Sequence, residues 1–409
     1  MKTKLPGQIS KKGSVLHTHF GAMPRMMDMV RIFQTGDNHI GMKYASHEKG
    51  AVLSQKRIDA FENMVKAANE NNCHLFVITG DLFENTYASA KKDITRIIDI
   101  LSGFKGSVAV LPGNHDYYDP DSRLWKSFES EMRKCDNIML LNDYRPYELT
   151  INDETVVLYP AFCRTLHSAP DENNLGFIRE ENIVPDEKYR IGLAHGAVED
   201  ETIDSEGRYF FMSRRELEEI PVDVWLIGHT HVPFPKNLDD DFRICQEKIF
   251  NSGTHVQTDV SCNTEGLCFI IELEKQENHT TVKAKHFHSG NLRFYRKNLV
   301  LAAEKAEETL TEALKNIDND SVVELTVSGS VTADEYARKD EIFESSLARF
   351  TESRYDDCKL SRLISRQLID AQFPETSFSA DFLTSLLDDP KQAQLAYDLL
   401  NTLKSREDD

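Results

Sequence analysis

The sequence predicts an α/β protein: a parallel or mixed sheet covered by helices, followed by a smaller α+β unit. Three observations carry this. Three strand–loop–helix units follow one another between residues 29 and 133. Each strand runs into a polar, glycine-bearing loop. From about residue 298 the texture changes to a separate set of helices and strands.

Residues 1–28 contain Gly, Pro, Lys and Met but no apolar core long enough for a secretory signal, so they read as a flexible basic leader. A mitochondrial-type transit peptide is the other reading, and the scarcity of Arg and the weak amphipathic pattern count against it. Met29–Thr35 reads as a first strand, ending in Gly36-Asp37-Asn38-His39. Ser54 to about Asn71 has apolar residues at helical spacing behind a serine cap. His74–Thr79 is a second buried strand, ending in Gly80-Asp81, and a helix follows over about 89–101. Val108–Leu111 is a third strand, and it runs into Pro112-Gly113-Asn114-His115-Asp116, the stretch around which the chain is organised. A turn that only reversed the chain would need no histidine there.

After a helix near 122–133 the pattern is β-rich to residue 160, then irregular and polar to 188. Tyr189–Ala194 is a strand ending in His195-Gly196, and Val222–Ile227 is another, ending in Gly228-His229-Thr230-His231. Alternating stretches at 246–251, 266–273 and 279–287 suggest antiparallel strands that complete a second sheet. Beyond 298 the sequence predicts a helix over 302–317, a strand over 322–327 and a helix over 333–350. Ser379 can cap a further helix, and Pro390 opens the last one. There Ala396, Leu399, Leu400 and Leu403 share a face that either packs on its own domain or docks a partner.

The chain has 409 residues, and no apolar stretch reaches the roughly 20 needed to cross a bilayer. Its seven cysteines are scattered and form no CxxC pair. That argues against a disulfide framework or a thiolate zinc site and fits a reducing, cytoplasmic setting. The net charge of −20 is uneven: residues 1–31 carry six basic and one acidic side chain, residues 301–409 twelve and twenty-four. An acidic total argues against non-specific nucleic-acid binding by the whole surface but leaves room for a local basic groove.

Five strand ends therefore present, in order, Asp37 and His39, Asp81, Asn114-His115-Asp116, His195, and His229 and His231. In an open α/β sheet such loops can converge along one edge. Carboxylate, amide and imidazole without thiolate suit manganese, iron or zinc. The ligand-type side chains outnumber what one tetrahedral ion takes, so two divalent ions are expected, with Asp81 as the natural bridge. Two ions about 3.5–4 Å apart can clamp both oxygens of an in-line displacement at phosphorus. The expected chemistry is phosphate-ester hydrolysis.

The pattern DxH, GD, GNHD, GH, GHTH resembles the calcineurin-like metallophosphoesterases. VRIFQTGDNHIG, FVITGDLFEN, VLPGNHDYYDP and WLIGHTHVP look most like the SbcD/YhaO-type DNA repair nucleases, relatives of the Mre nuclease. The resemblance implies a four-layer α/β/β/α sandwich over residues 29–297 and a C-terminal α+β capping domain, which also binds a partner, over 298–409. It implies one metal held by Asp37, His39, Asp81 and His231 and a second held by Asp81, Asn114, His195 and His229. His115 falls at the place of the catalytic histidine, with Asp116 orienting its ring. By resemblance the protein is a manganese-dependent 3′–5′ double-strand exonuclease and single-strand endonuclease. DNA, an SMC-like ATPase of the SbcC/YhaN type and a second copy of the chain are its implied partners.

Two positions depart from that branch. Asn38 stands where an aromatic residue is common, and Glu84 where some members carry a histidine. Glu84 is therefore expected either to contact phosphate poorly or to cap the following turn. The competing readings are a phosphatase or phosphodiesterase for a small molecule, and a non-catalytic scaffold that has lost ligands.

Overall fold

Side-chain alternation decides the architecture. Along Met29–Thr35, Leu75–Thr79 and Ser107–Leu111, residues Phe33, Phe76, Ile78, Val108 and Val110 join one apolar cluster, and Ile32, Leu75, Val77, Ala109 and Leu111 join another. A sheet apolar on both faces must be covered on both. In the computed structural model, which describes residues 29–407 apart from 88–89, 171, 184–187, 201–207 and 277–278, these strands lie parallel and adjacent. The expected leader, residues 1–28, lies outside the described residues.

Helices Gly50–Glu70, Lys91–Ser102 and Arg123–Met132 cover one face through Phe61, Ile94, Ile98, Leu124 and Phe128. A second sheet covers the other, in the order Ile249–Asn251, Val224–Gly228, Tyr189–His195, Glu154–Ala161, Tyr147–Ile151, parallel except for the last pair. Leu158, Ile191, Leu226 and Phe250 meet Ile32 and Val77 between the sheets. Trp225 and Ile227 on the outer face pack under Ile178 and Leu217 of the short helices Gly176–Glu180 and Arg214–Glu219. The layers are thus helix, sheet, sheet, helix, the expected four.

Several expectations are corrected. The antiparallel strands expected to complete the second sheet lie in the first: Leu267–Gln276 pairs with Met29–Thr35 and with His279–His288. The first half of Leu267–Gln276 is apolar on both faces, with Cys268 and Ile270 on the helix side and Phe269 and Ile271 on the sheet side, so it suits an interior position. The ion-paired Glu272 and Glu274 follow on the helix side. Only Ile249–Asn251 joins the second sheet, and it runs parallel. Residues 161–188 are less of a surface excursion than their polarity suggests, since Phe162, Cys163, Leu175 and Ile178 are buried.

The helix expected behind a Ser54 cap starts at Gly50. Ser54 instead donates to the Met42 carbonyl at 2.6 Å. The cap comes from far away in sequence: Glu352 accepts from Lys49 N at 2.8 Å and contacts His47 Nδ1 at 2.8 Å. Ser377, not Ser379, caps Phe378–Ser385, accepting from Ala380 N. The helix expected over 333–350 is two, Ala333–Ala337 and Lys339–Leu347.

The expected boundary at 297/298 falls inside the strand Arg293–Ala302. This is the first of three parallel strands, with Ser321–Val331 and Glu352–Arg362, packed on Leu310 and Phe343. The final helix, Pro390–Glu407, splits its expected face: Ala396 and Leu400 pack inward, whereas Leu399 and Leu403 are exposed. No helix among the described residues is long and apolar enough to cross a membrane.

Candidate metal centre

Met29–Thr35, Leu75–Thr79 and Ser107–Leu111 end side by side, and opposite them end Tyr189–His195 and Val224–Gly228. Polar bonds stitch the two sheets together there. Gln34 Nε2 donates to Ile227 O at 3.2 Å and Phe250 O at 2.9 Å, and Thr79 Oγ1 lies 3.3 Å from Ile227 O. Five loops are thereby pressed into one cleft. Such closeness requires glycine: a Cβ on Gly80, at φ +95°, would stand 2.1 Å from His195 Nδ1, and one on Gly113 2.2 Å from Asp81 Oδ1. Asp37, His39, Asp81 and His229 themselves have positive φ, at 48°, 45°, 52° and 106°. Strain of this kind persists where the surroundings enforce it and gathers at functional sites.

All seven side chains expected as ligands meet here. In the first group His39 Nε2 lies 3.1 Å from His231 Nε2 and 3.8 Å from Asp81 Oδ2, and His231 Nε2 lies 4.0 Å from Asp37 Oδ1. In the second, Asn114 Oδ1 lies 2.9 Å from His195 Nε2 and 3.1 Å from His229 Nδ1, and His195 Nε2 is 3.3 Å from Asp81 Oδ2. Asp81 belongs to both. The backbone fixes several of these groups. His195 Nδ1 sits 2.8 Å from the Thr79 carbonyl, which leaves Nε2 for the centre. Asp37 accepts from His229 N at 3.1 Å through both oxygens, and Asp81 Oδ1 accepts from His115 N at 2.8 Å.

The electrostatics show why the cluster suits cations. Burial, reinforced by Asp81, pushes the Asp37 carboxyl up to about 7 despite His195 nearby. Burial also opposes ionisation of Asp81, yet His195, His39 and His115 outweigh it and hold its carboxyl below the usual range. Burial disfavours a charged His195, but Asp81 and Asp37 raise it to about 9. Burial and the neighbouring His39 take His231 down to about 3, so it presents a lone pair rather than a proton. Asp37, His39 and His231, then His39, Asp81 and His115, then Asp37, Asp81 and His195 each gather their ligand atoms within 4.8 Å. Two buried carboxylates, four imidazoles of which His231 is held unprotonated, and an amide oxygen, without a thiolate, form a donor set that fits borderline-hard divalent ions.

The role expected of Asp116 is corrected. Its oxygens accept from Gly113 N at 2.7 Å and Phe83 N at 3.0 Å, deep in the loop. It shapes the backbone that carries His115. The His115 ring instead has Nδ1 3.3 Å from the Glu84 carbonyl.

Two contributors, Arg57 and Tyr209, were not legible in the motifs, and a third, Glu84, stood inside one of them with a different role expected. Arg57, fully buried, reaches the carbonyls of Asp37 and Asn38. Glu84 Oε2 lies 3.0 Å from His39 Nδ1. Burial opposes its ionisation, but His39, His115 and Arg57 hold its carboxyl below the usual range. Tyr209 stacks on His229 with centroids 5.0 Å apart.

A two-sheet sandwich with paired histidine–carboxylate groups at the strand ends defines a metal-dependent hydrolase of phosphoesters. Residues 30–233 match the family model described as calcineurin-like phosphoesterase, and the chain thus carries a metallophosphoesterase domain of that family, which uses two divalent metals. Among solved structures it is similar to a protein of Thermus thermophilus, at 13% identity over 55% of this chain and 89% of that one, with a TM-score of 0.36. It is also similar to a dimetal phosphatase from Danio rerio, at 12% identity over 63% of this chain and 98% of that one, with a TM-score of 0.35. No curated protein sequence matches.

Proposed function

We propose that the protein is a two-metal DNA phosphodiesterase, a 3′–5′ exonuclease and single-strand endonuclease of DNA repair that works with an SMC-like ATPase and as a homodimer. Asp37, His39, Asp81 and His231 would hold one divalent ion, with manganese the first choice, and Asp81, Asn114, His195 and His229 the other. Bound there, the ions would activate a water and neutralise charge growing on the phosphate oxygens. His115 lies at the open side of this cluster, its backbone tied to Asp81 and its Nδ1 to Glu84, so its Nε2 is free to protonate a leaving oxygen.

The observation that favours a long substrate is the C-terminal unit, whose Glu352 caps the same helix, Gly50–Glu70, that backs the Asp37 loop. A specific feature favours the second reading, a phosphatase for a small molecule. A cavity of about 510 Å³, lined by His167, Ser168, Asn173 and Arg179, lies next to Tyr209 and is walled by Phe210. The two are separated by incubating the protein and Mn²⁺ with end-labelled duplex DNA or with a chromogenic phosphomonoester. Shortening of the duplex supports the nuclease, and turnover of the monoester alone supports the phosphatase.

A further inference from the structure

Glu84 touches two histidines with two different atoms. Its carboxylate oxygen Oε2 lies 3.0 Å from His39 Nδ1, two buried atoms paired by closeness, off the line of a ring N–H and with no other hydrogen-bond partner. Its backbone carbonyl lies 3.3 Å from His115 Nδ1. The two rings stand perpendicular with centroids 4.9 Å apart. On the far side of its ring, His39 presents Nε2 toward Asp81 and His231. An imidazole that donates from one nitrogen offers a lone pair on the other, so a carboxylate behind a ligating histidine fixes tautomer and orientation and raises basicity.

The backbone half of the arrangement does not depend on the side chain. Glu84 N donates to Ile40 O at 3.0 Å, the neighbouring Phe83 N to Asp116, and Thr86 N to His115 O at 3.1 Å. The carbonyl that faces His115 therefore stays in place when the side chain changes.

Resting on the two-metal reading above, we propose that Glu84 is a positioning residue with two separable roles. Its carboxylate holds His39 ready to bind metal, and its carbonyl aims His115 at the substrate. The carboxylate then governs metal affinity and takes no part in the chemical step.

The test compares the full-length wild type with Glu84→Gln and Glu84→Ala. Mn²⁺ alone is titrated calorimetrically, and turnover of a chromogenic phosphodiester is followed as Mn²⁺ is raised to saturation. Wild type should bind two equivalents. Glu84→Ala should weaken one of them by about 10–100-fold, with Glu84→Gln in between because its amide oxygen still accepts. At saturating Mn²⁺ both variants should keep kcat within about twofold. In a His39→Ala background Glu84→Ala should cost nothing more, as residues acting through one another are non-additive. Two sites of unchanged affinity in Glu84→Ala would overturn the inference and leave the two-metal reading standing. A fall in kcat at saturating metal would overturn it too, by placing the carboxylate in the chemistry. Absence of Mn²⁺ binding by wild type would remove the two-metal reading and this inference together.

Discussion

Arg57 Nε donates to the carbonyl oxygen of Asn38 at 2.6 Å, tying a fully buried guanidinium to the loop between Asp37 and His39. The same group reaches Asp37 O at 3.3 Å, Thr254 Oγ1 at 3.0 Å and Val256 O at 3.3 Å, so one side chain joins the first loop of the centre to the chain after Ile249–Asn251. Replacing it leaves the buried Asn38 carbonyl without its donor and the carbonyls of Asp37 and Val256 to share the one Thr254 hydroxyl. Arg57→Met is expected to cost about 2–4 kcal/mol of stability and to weaken Mn²⁺ binding. Urea denaturation of the metal-free protein and a Mn²⁺ titration would read the two effects separately.

His115→Gln should keep both metals, because the His115 ring is the group placed to transfer a proton and the seven expected ligands are untouched. Activity on a phosphodiester should fall by about 10²–10⁴-fold. Metal analysis beside steady-state kinetics checks it, and wild-type turnover would remove the acid role.

Asp81 touches both groups of ligands, so Asp81→Ala should lose both ions. In wild type, Mn²⁺ at a hundredfold excess over Kd should stabilise the fold by about 2.7 kcal/mol per site, and EDTA should reverse it. The variant should show no such gain in thermal or urea melts. A shift equal to wild type would mean that the ions sit elsewhere.

Gly80→Ala places a methyl group where His195 Nδ1 stands and asks an L-residue to adopt φ +95°. The expected result is a loss of about 2 kcal/mol or more together with loss of the second metal. Differential scanning calorimetry and metal content measure it. A neutral outcome would show that the loops are less tightly pressed than the distances say.

The strand ends were readable because each motif places its polar residues immediately after an apolar run, and chain order did not matter to that signal. Sheet membership was harder. Leu267–Gln276 carries only the information that its first half is apolar on both faces, which suits either sheet, and pairing with Met29–Thr35 is decided by a partner more than 200 residues away. Arg57 did leave a trace: Leu53, Ala60, Met64 and Ala68 form one buried stripe on their helix, and an arginine in the middle of that stripe needs buried acceptors. Ser54 misled because a serine near a helix start is a common cap, and nothing local says that Glu352 already fills that place. Asp116 misled similarly, since adjacency to His115 in the chain does not decide which way a turn sends its side chain.

Glu352 sits on the third sheet yet closes the first turn of Gly50–Glu70, while Lys56 of that helix pairs with Asp320 at 2.7 Å. The helix so gripped is the one that carries Arg57. The C-terminal unit and the Asp37 loop are thus opposite ends of one mechanical linkage, and an engineered chain cut short before residue 293 would lose its anchor some distance from any reacting atom.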